Sequence, residues 1–215
     1  MDTLTSFFQE NGADLWRLTL EHIGISALSV TLGILVAVPL GVLLTRSGRL
    51  ASWIMGFVST LQTIPSLALL ALMVPVFGVG TLPAVVALFL YSLLPILRNT
   101  YYGIQNVDPD LKDAAKGMGM TSWQILRKVE LPQAAGIIMT GIRLSTVYVI
   151  AWAALASYIG GGGLGDFIFN GLSIYIPELI IAGAVAVMVI ALVADYLLGL
   201  LEKRLTPINQ REGEV

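Results

Sequence analysis

Five long apolar runs constrain this chain more than any other feature of its sequence. Backbone N–H and C=O groups find no water in lipid, so apolar runs of about 20 residues cross a membrane as helices. Only 12% of the 215 residues are charged, whereas a soluble protein carries roughly 25%. The runs therefore predict an all-α polytopic membrane protein with about five transmembrane helices, at 23–45, 53–77, 82–97, 137–159 and 179–201.

The basic residues predict the orientation of these helices. Ten of the twelve Lys and Arg residues follow the first, third and fifth runs; Arg17 and Arg143 are the exceptions. Because cytoplasmic loops are enriched in Lys and Arg, the topology is predicted as N-out, C-in. We expect an extracytoplasmic N-terminal segment at 1–22, a transmembrane domain at 23–205 with a cytoplasmic loop at 99–132, and a cytoplasmic tail at 206–215.

The composition argues against several classes of function. The chain has no cysteine and one histidine, His22, which leaves little from which to build a metal site. A net charge of −2 argues against a nucleic-acid partner. The phosphate-binding pattern Gly-x-x-x-x-Gly-Lys-Ser/Thr does not occur. We expect no catalytic residue, no metal and no cofactor in this chain, and no enzymatic activity of its own.

The loop at 99–132 contains signals for two short helices. Asp108 and Pro109 are typical of an N-cap and a first helical position, and Gly117 and Gly119 predict the end of that helix.

A second helix is predicted to begin at Thr121, which has capping-box spacing to Gln124. Pro132 is expected to stop that helix before the fourth span.

The same loop resembles the coupling motif of binding-protein-dependent ABC importer permeases. The family pattern has an acidic residue, two alanines and a glycine, then an aliphatic residue before Leu-Pro; here Asp113 replaces glutamate and Val129 replaces isoleucine. The resemblance implies a type I importer permease fold whose loop docks on a separate ATPase. It assigns that role to Asp113, Ala114, Ala115, Gly119, Leu131 and Pro132.

Segments 38–41, 62–66, 94–100 and 159–166 look like the permeases for glycine betaine, carnitine and choline. This resemblance implies a multi-pass protein of the bacterial plasma membrane, surrounded by lipid. The implied partners are a second permease chain (identical or sister), an extracytoplasmic substrate-binding protein, and cytoplasmic ATPase subunits that bind ATP and Mg. An ABC permease for another small solute, an ion-coupled secondary transporter, a membrane-embedded enzyme and a scaffold subunit are the alternatives.

Polar and aromatic residues inside the spans suggest a path for the solute. A proline-induced kink at Pro65 would free backbone groups near a cavity, and aromatic faces attract quaternary ammonium groups. For any single one of these residues, ordinary helix packing is the favoured explanation. The pathway residues predicted are Gln62, Thr63, Ser66, Tyr91, Tyr148 and Trp152.

Two ionisable residues lie deep in the fourth and fifth spans. Arg143 and Asp195 are each roughly 12 to 16 Å from the cytoplasmic ends of their helices. Charged groups at this depth usually pair or face a polar cavity. We therefore expect a buried ion pair between these residues. A structural role, as a clamp between the two spans, is favoured over a role in binding the substrate.

Overall fold

The computed structural model describes residues 2–206, with the side chains of residue 7 and residues 9–206. Within that range the chain is helical, with a π-helical turn at Leu126–Glu130 before α7 and a 3-10 turn at Ala154–Ile159 after it. The α-helices are α1 (Asp2–Leu44), α2 (Gly48–Thr63), α3 (Ser66–Phe77), α4 (Thr81–Gln105), α5 (Pro109–Gly117), α6 (Ser122–Ile125), α7 (Leu131–Ala153), α8 (Gly165–Ile174) and α9 (Pro177–Leu205). Most of the predicted tail, 207–215, lies outside the described residues.

The helices traverse the bundle five times within the described chain. Four stretches are each long and apolar enough to span a membrane, and α2 with α3 forms a fifth, bent candidate. Arg46, in the turn after α1, contacts Glu130, which precedes α7. The helix α1 therefore ends at the same end of the bundle as the loop of α5 and α6. Gly80, before α4, donates its N–H to Ile159 at the opposite end. Thus α2 and α3 together carry the chain from one end to the other. We call the end that carries α5 the coupling end.

The second traverse is broken rather than gently kinked. The axes of α2 and α3 differ by 98° across Ile64 and Pro65. Ile64 has extended backbone angles, φ −67° and ψ 128°, as the steric demand of a following proline requires. Pro65 cannot donate a backbone hydrogen bond, so the helix ends before it and restarts at Ser66.

Small residues allow α1 and α4 to approach closely. A Cβ atom on Gly33 would lie 2.0 Å from Ser92 Oγ, and one on Gly41 would lie 2.8 Å from Thr100 Cβ. Ala37, one turn from each glycine, is completely buried. Helices in lipid gain little hydrophobic energy from association, so close backbone packing of this kind holds them together.

The traverses differ sharply in burial. In the most apolar stretch of α4, 61% of the residues are buried inside the chain, compared with 6% in α9. The helix α4 is therefore the centre of the bundle, packed between α1 and α7. The helix α9 is peripheral and presents its apolar surface outward, to lipid or to another chain.

Several predicted boundaries differ from the structure. The third span was expected to end at residue 97, but α4 continues to Gln105 because Thr100, Gly103 and Ile104 are buried against its neighbours. The helix α8 was not predicted; its ten residues are too few to show the apolar length of a span. The helix α1 runs without a break across residue 22, where the N-terminal segment was expected to end.

Candidate coupling surface and solute path

The first helix of the coupling loop begins and ends where its sequence predicts. Asp108 Oδ1 accepts a hydrogen bond from the Asp110 N–H at 2.9 Å, and Pro109 takes the first helical position. The helix α5 ends at Gly117, and Gly119 follows in the left-handed region at φ +76°. A residue with a Cβ is strained there, so glycine makes this sharp turn possible.

The second helix of the loop carries the predicted capping box. The Thr121 hydroxyl accepts from the Gln124 N–H, and Gln124 Oε1 accepts from the Thr121 N–H at 2.8 Å. Both bonds satisfy N–H groups that have no partner inside the helix. The turn at Gly119 and this cap together set the angle between α5 and α6.

The two adjacent alanines of the motif face opposite ways. Ala115 is 1% exposed and packs inside the chain, whereas Ala114 and Asp113 are exposed. Asp113 Oδ1 lies 2.9 Å from Lys116 Nζ in an ion pair on the outer surface. One face of α5 thus attaches the loop to the bundle, and the other is available to a partner.

Large apolar side chains of the coupling loop are also exposed. On a membrane protein, such groups are exposed where lipid or another protein covers them. Leu111 is 39% exposed, Met118 is 71% exposed and Trp123 is 66% exposed.

The prediction that Pro132 stops the second helix was wrong. The chain continues from α6 through the π-helical turn into α7, with Pro132 in the first turn of α7. In the π-helical turn the Leu131 N–H bonds to Leu126 O, five residues back. A local π turn lets a helix continue past a residue that has no N–H to donate. Leu131 packs on the core, and Pro132 is exposed.

Tyr91 of α4 braces the break in the second traverse. Its hydroxyl donates to Ile64 O, and its carbonyl accepts from Gln62 Nε2 at 2.9 Å. Thr63 is exposed and bonds within its own helix, and Ser66 is partly buried at the start of α3. Among the residues that the structure describes, Gln62 is the one of these three polar residues that bonds to another helix.

Three predicted aromatic residues form one cluster. The ring centroids of Tyr91 and Trp152 are 4.7 Å apart, and those of Tyr148 and Trp152 are 5.5 Å apart. Tyr91 is 4% exposed and Tyr148 is 42% exposed, so the cluster leads from the interior to the surface of the chain. We call these three residues the aromatic cluster.

Arg143 contacts Asp195 through two nearly parallel hydrogen bonds, of 2.6 and 2.7 Å. A third member, Glu202, lies 3.1 Å from the same guanidinium and accepts from the Thr140 hydroxyl. The structure thus brings together the two residues predicted to pair, and their side chains are 37% and 38% exposed in this chain by itself. The pair joins α7 to α9, and the outer surface of α9 is not covered by this chain.

Sequence reasoning missed two charged residues of this kind. Glu202 lies seven positions after Asp195, on the same face of α9, and that spacing was the available signal. Glu130 lies between Val129 and Leu131 at a position the coupling pattern leaves open, and it gave no signal. Glu130 Oε2 is 2.6 Å from Arg46 Nη2.

Known proteins resemble this chain over nearly its whole length. Residues 29–207 match the family described as binding-protein-dependent transport system inner membrane component. The carnitine transport permease protein OpuCB of Listeria monocytogenes is 59% identical over 213 residues, 99% of this chain and 98% of that protein.

A second relative is the glycine betaine/carnitine/choline transport system permease protein OpuCB of Bacillus subtilis (strain 168). It is 56% identical over 207 residues, 96% of this chain and 95% of that protein. Among solved structures, an inward-facing conformation of the MetNI methionine ABC transporter matches with a TM-score of 0.82 at 23% identity. That match covers 90% of this chain and 96% of the other and concerns the fold alone.

Proposed function

This chain belongs to the family of binding-protein-dependent transport system inner membrane components, and from that premise we propose that it imports quaternary-ammonium solutes. It is a multi-pass ABC importer permease, and its expected solutes are glycine betaine, carnitine and choline. The names of its relatives support this solute class, since each covers almost the whole chain. We place it in the bacterial plasma membrane, with the coupling end in the cytoplasm.

The observation that carries the coupling role is the exposed outer face of α5. Ala114 and Asp113 lie on that face, and Met118 and Trp123 of the same loop are also exposed. Small side chains allow a partner's backbone to approach, and the apolar groups gain free energy when they are covered. We propose that this face docks on a cytoplasmic ATPase subunit, which binds ATP and Mg, while an extracytoplasmic binding protein delivers the solute.

We propose the aromatic cluster as a contact for the solute during passage. A quaternary ammonium ion has no hydrogen-bond donor, so aromatic faces are the groups that recognise it, at about 0.5 to 2 kcal/mol. The break at Ile64 and Pro65 lies beside the cluster, since Tyr91 bonds there to Ile64 and Gln62. The path itself would form between this chain and a second permease, identical or sister.

Reconstituted transport tests the coupling role. The chain is placed in proteoliposomes with the ATPase subunit and binding protein encoded beside its gene, and uptake of labelled glycine betaine, carnitine and choline is measured. Gly119→Val, which forces a branched residue to φ +76°, is expected to abolish ATP-driven uptake. Gly117→Ala is the matched control, because it lies in helical backbone with open space around it.

The outcomes separate the parts of the proposal. Failure of any ATPase subunit to bind the unmodified chain would overturn the coupling role. ATP-driven uptake of other solutes, with no uptake of glycine betaine, carnitine or choline, would overturn the quaternary-ammonium assignment and leave the coupling role intact.

The aromatic cluster is tested by a matched set of substitutions. Trp152→Ala is expected to slow uptake of choline by about tenfold, and Trp152→Phe by less, because phenylalanine keeps an aromatic face. Trp16→Ala removes a tryptophan that is 66% exposed on α1 and serves as the control. Equal uptake by Trp152→Ala and Trp16→Ala would remove the cluster from the path.

A further inference from the structure

An ion pair joins the coupling loop to the end of α1. Arg46, in the turn after α1, lies with Nη2 2.6 Å from Oε2 of Glu130, the last residue of the π-helical turn. The two residues are 84 positions apart in the chain. The Glu130 side chain is 4% exposed, whereas that of Arg46 is 51% exposed. A carboxylate buried to this degree requires a cationic or hydrogen-bonding partner.

The location of Glu130 gives this pair a mechanical consequence. Upstream, α5 and α6 form the exposed surface; downstream, α7 crosses the bundle. The pair at this junction connects the base of the coupling loop to α1, the first traverse, in addition to α7, which follows the loop in the chain. A π turn is rare and is frequently found at functional sites in helices.

A second charged contact ties the loop to α4. Lys112 of α5 donates from Nζ to Ile104 O at 3.2 Å, and its Nζ is 3.5 Å from Gln105 O. These carbonyls are at the C-terminal end of α4, where a cation is favoured by the helix dipole. The loop is therefore attached to three traverses: α7 by the chain itself, α4 through Lys112, and α1 through Glu130.

We propose that the Arg46–Glu130 pair is a positioning tie that makes the end of α1 follow the coupling loop when the ATPase subunits close. This inference rests on the proposed function of the loop. Without the tie, the loop would still dock on its partner and move, but α1 would not move with it. ATP would then be hydrolysed with little solute transported.

Three variants distinguish this role from a merely structural one. Arg46→Gln leaves the buried carboxylate without its cation and is expected to lower the melting temperature of the complex. Glu130→Gln removes the charge and keeps the shape. The double variant Arg46→Gln/Glu130→Gln is expected to restore the melting temperature, because no unpaired buried charge remains. If the pair only stabilises the fold, the double variant also restores transport.

The deciding quantity is the number of solute molecules imported per ATP hydrolysed. In the double variant we expect this ratio to fall at least about fivefold while solute-stimulated ATP hydrolysis continues. Arg17→Gln breaks two exposed ion pairs on α1, with Asp14 and with Glu21, and is the control. A wild-type ratio in the double variant would overturn the tie. Absence of ATPase binding by the unmodified chain would instead overturn the proposed function.

A distance measurement keeps the inference testable if a variant does not fold. The chain has no cysteine, so Leu43→Cys and Arg127→Cys can be spin-labelled without background. Leu43 is 66% exposed in the last turn of α1, and Arg127 is exposed in the π-helical turn. We expect the same label distance in the nucleotide-free and ATP-bound complex. A shift between these states would show that the two segments move separately and would overturn the tie.

Discussion

The coupling end and the break in the second traverse are held by different kinds of interaction. At the coupling end the contacts are charged, Arg46 with Glu130 and Lys112 with the end of α4. Deeper in the bundle, Arg143 pairs with Asp195 and Glu202. At the break the contacts are neutral: two hydrogen bonds to Tyr91 and the aromatic cluster. Removing one member of a buried ion pair costs about 3 to 5 kcal/mol, whereas a neutral hydrogen bond contributes about 0.5 to 1.5 kcal/mol.

This difference suits the two roles proposed for these regions. A part that transmits motion from a partner must keep its geometry under load, and charged contacts resist separation. A part that opens for a solute must exchange its contacts at small cost, and rings or neutral hydrogen bonds can be replaced by the solute. We expect the break region to change conformation during transport and the coupling end to move as one body.

Arg143→Ala is expected to have the largest effect of the four single substitutions that probe this comparison. It leaves Asp195 and Glu202 in the bundle without their cation. We expect a loss of up to about 3 kcal/mol, at the low end for a broken pair because the side chains are partly exposed. Thermal unfolding in detergent measures the loss.

Arg98→Ala, which removes an exposed arginine, is the control for that experiment. The simple exchange Arg143→Asp/Asp195→Arg would place a carboxylate beside Glu202, so it is expected to rescue stability only when Glu202→Gln is added. Equal melting temperatures for Arg143→Ala and Arg98→Ala would show that charge does not hold α9 to α7.

Ala115→Leu tests whether side-chain packing, in addition to charged contacts, holds α5 on the bundle. Ala115 is 1% exposed, so three added carbon atoms must displace neighbouring groups, at about 1 to 3 kcal/mol. Ala114→Leu adds the same atoms on the exposed face. We expect it to leave the melting temperature of the isolated chain unchanged and to weaken ATPase binding in a pull-down titration. Identical behaviour of the two variants would contradict the two-faced geometry of α5.

The local features of the coupling loop could be predicted because they depend on near neighbours in sequence. The cap at Asp108, the capping box at Thr121 and the turn at Gly119 each follow from chemistry within a few residues. The ion pair of Arg143 with Asp195 could be predicted because few ionisable residues lie deep in the spans. The general plan of about five apolar traverses followed from length and composition alone.

The missed features depend on contacts between distant elements. Pro65 predicted a kink, but an angle of 98° is set partly by Tyr91 and Gln62, which meet only when α2 and α4 pack. Glu130 resembled any polar loop residue because its partner is 84 positions away. Glu202 adjoins Lys203 near the end of α9 and resembled a residue in water.

Tyr91→Phe probes the neutral side of the comparison. The substitution keeps the ring beside Trp152 and removes the hydroxyl that donates to Ile64 O. We expect a loss of about 1 kcal/mol in thermal unfolding, and a larger change in uptake rate than stability alone predicts. Tyr102→Phe, at a tyrosine that is 52% exposed, is the control. A loss above about 3 kcal/mol, the cost of a broken ion pair, would contradict the comparison.

Thr121→Ala is expected to have the smallest effect on the melting temperature. It tests whether the helix cap or the charged contacts hold the coupling loop in place. The substitution removes the acceptor for the Gln124 N–H, which costs about 1 kcal/mol of local helix stability. Because Lys112 and Glu130 still anchor the loop on either side, the melting temperature of the chain should remain that of Ser122→Ala, the neighbouring control. The change should appear instead as faster amide exchange at Gln124. A global loss of stability would mean that the cap, rather than the charged contacts, holds the coupling loop in place.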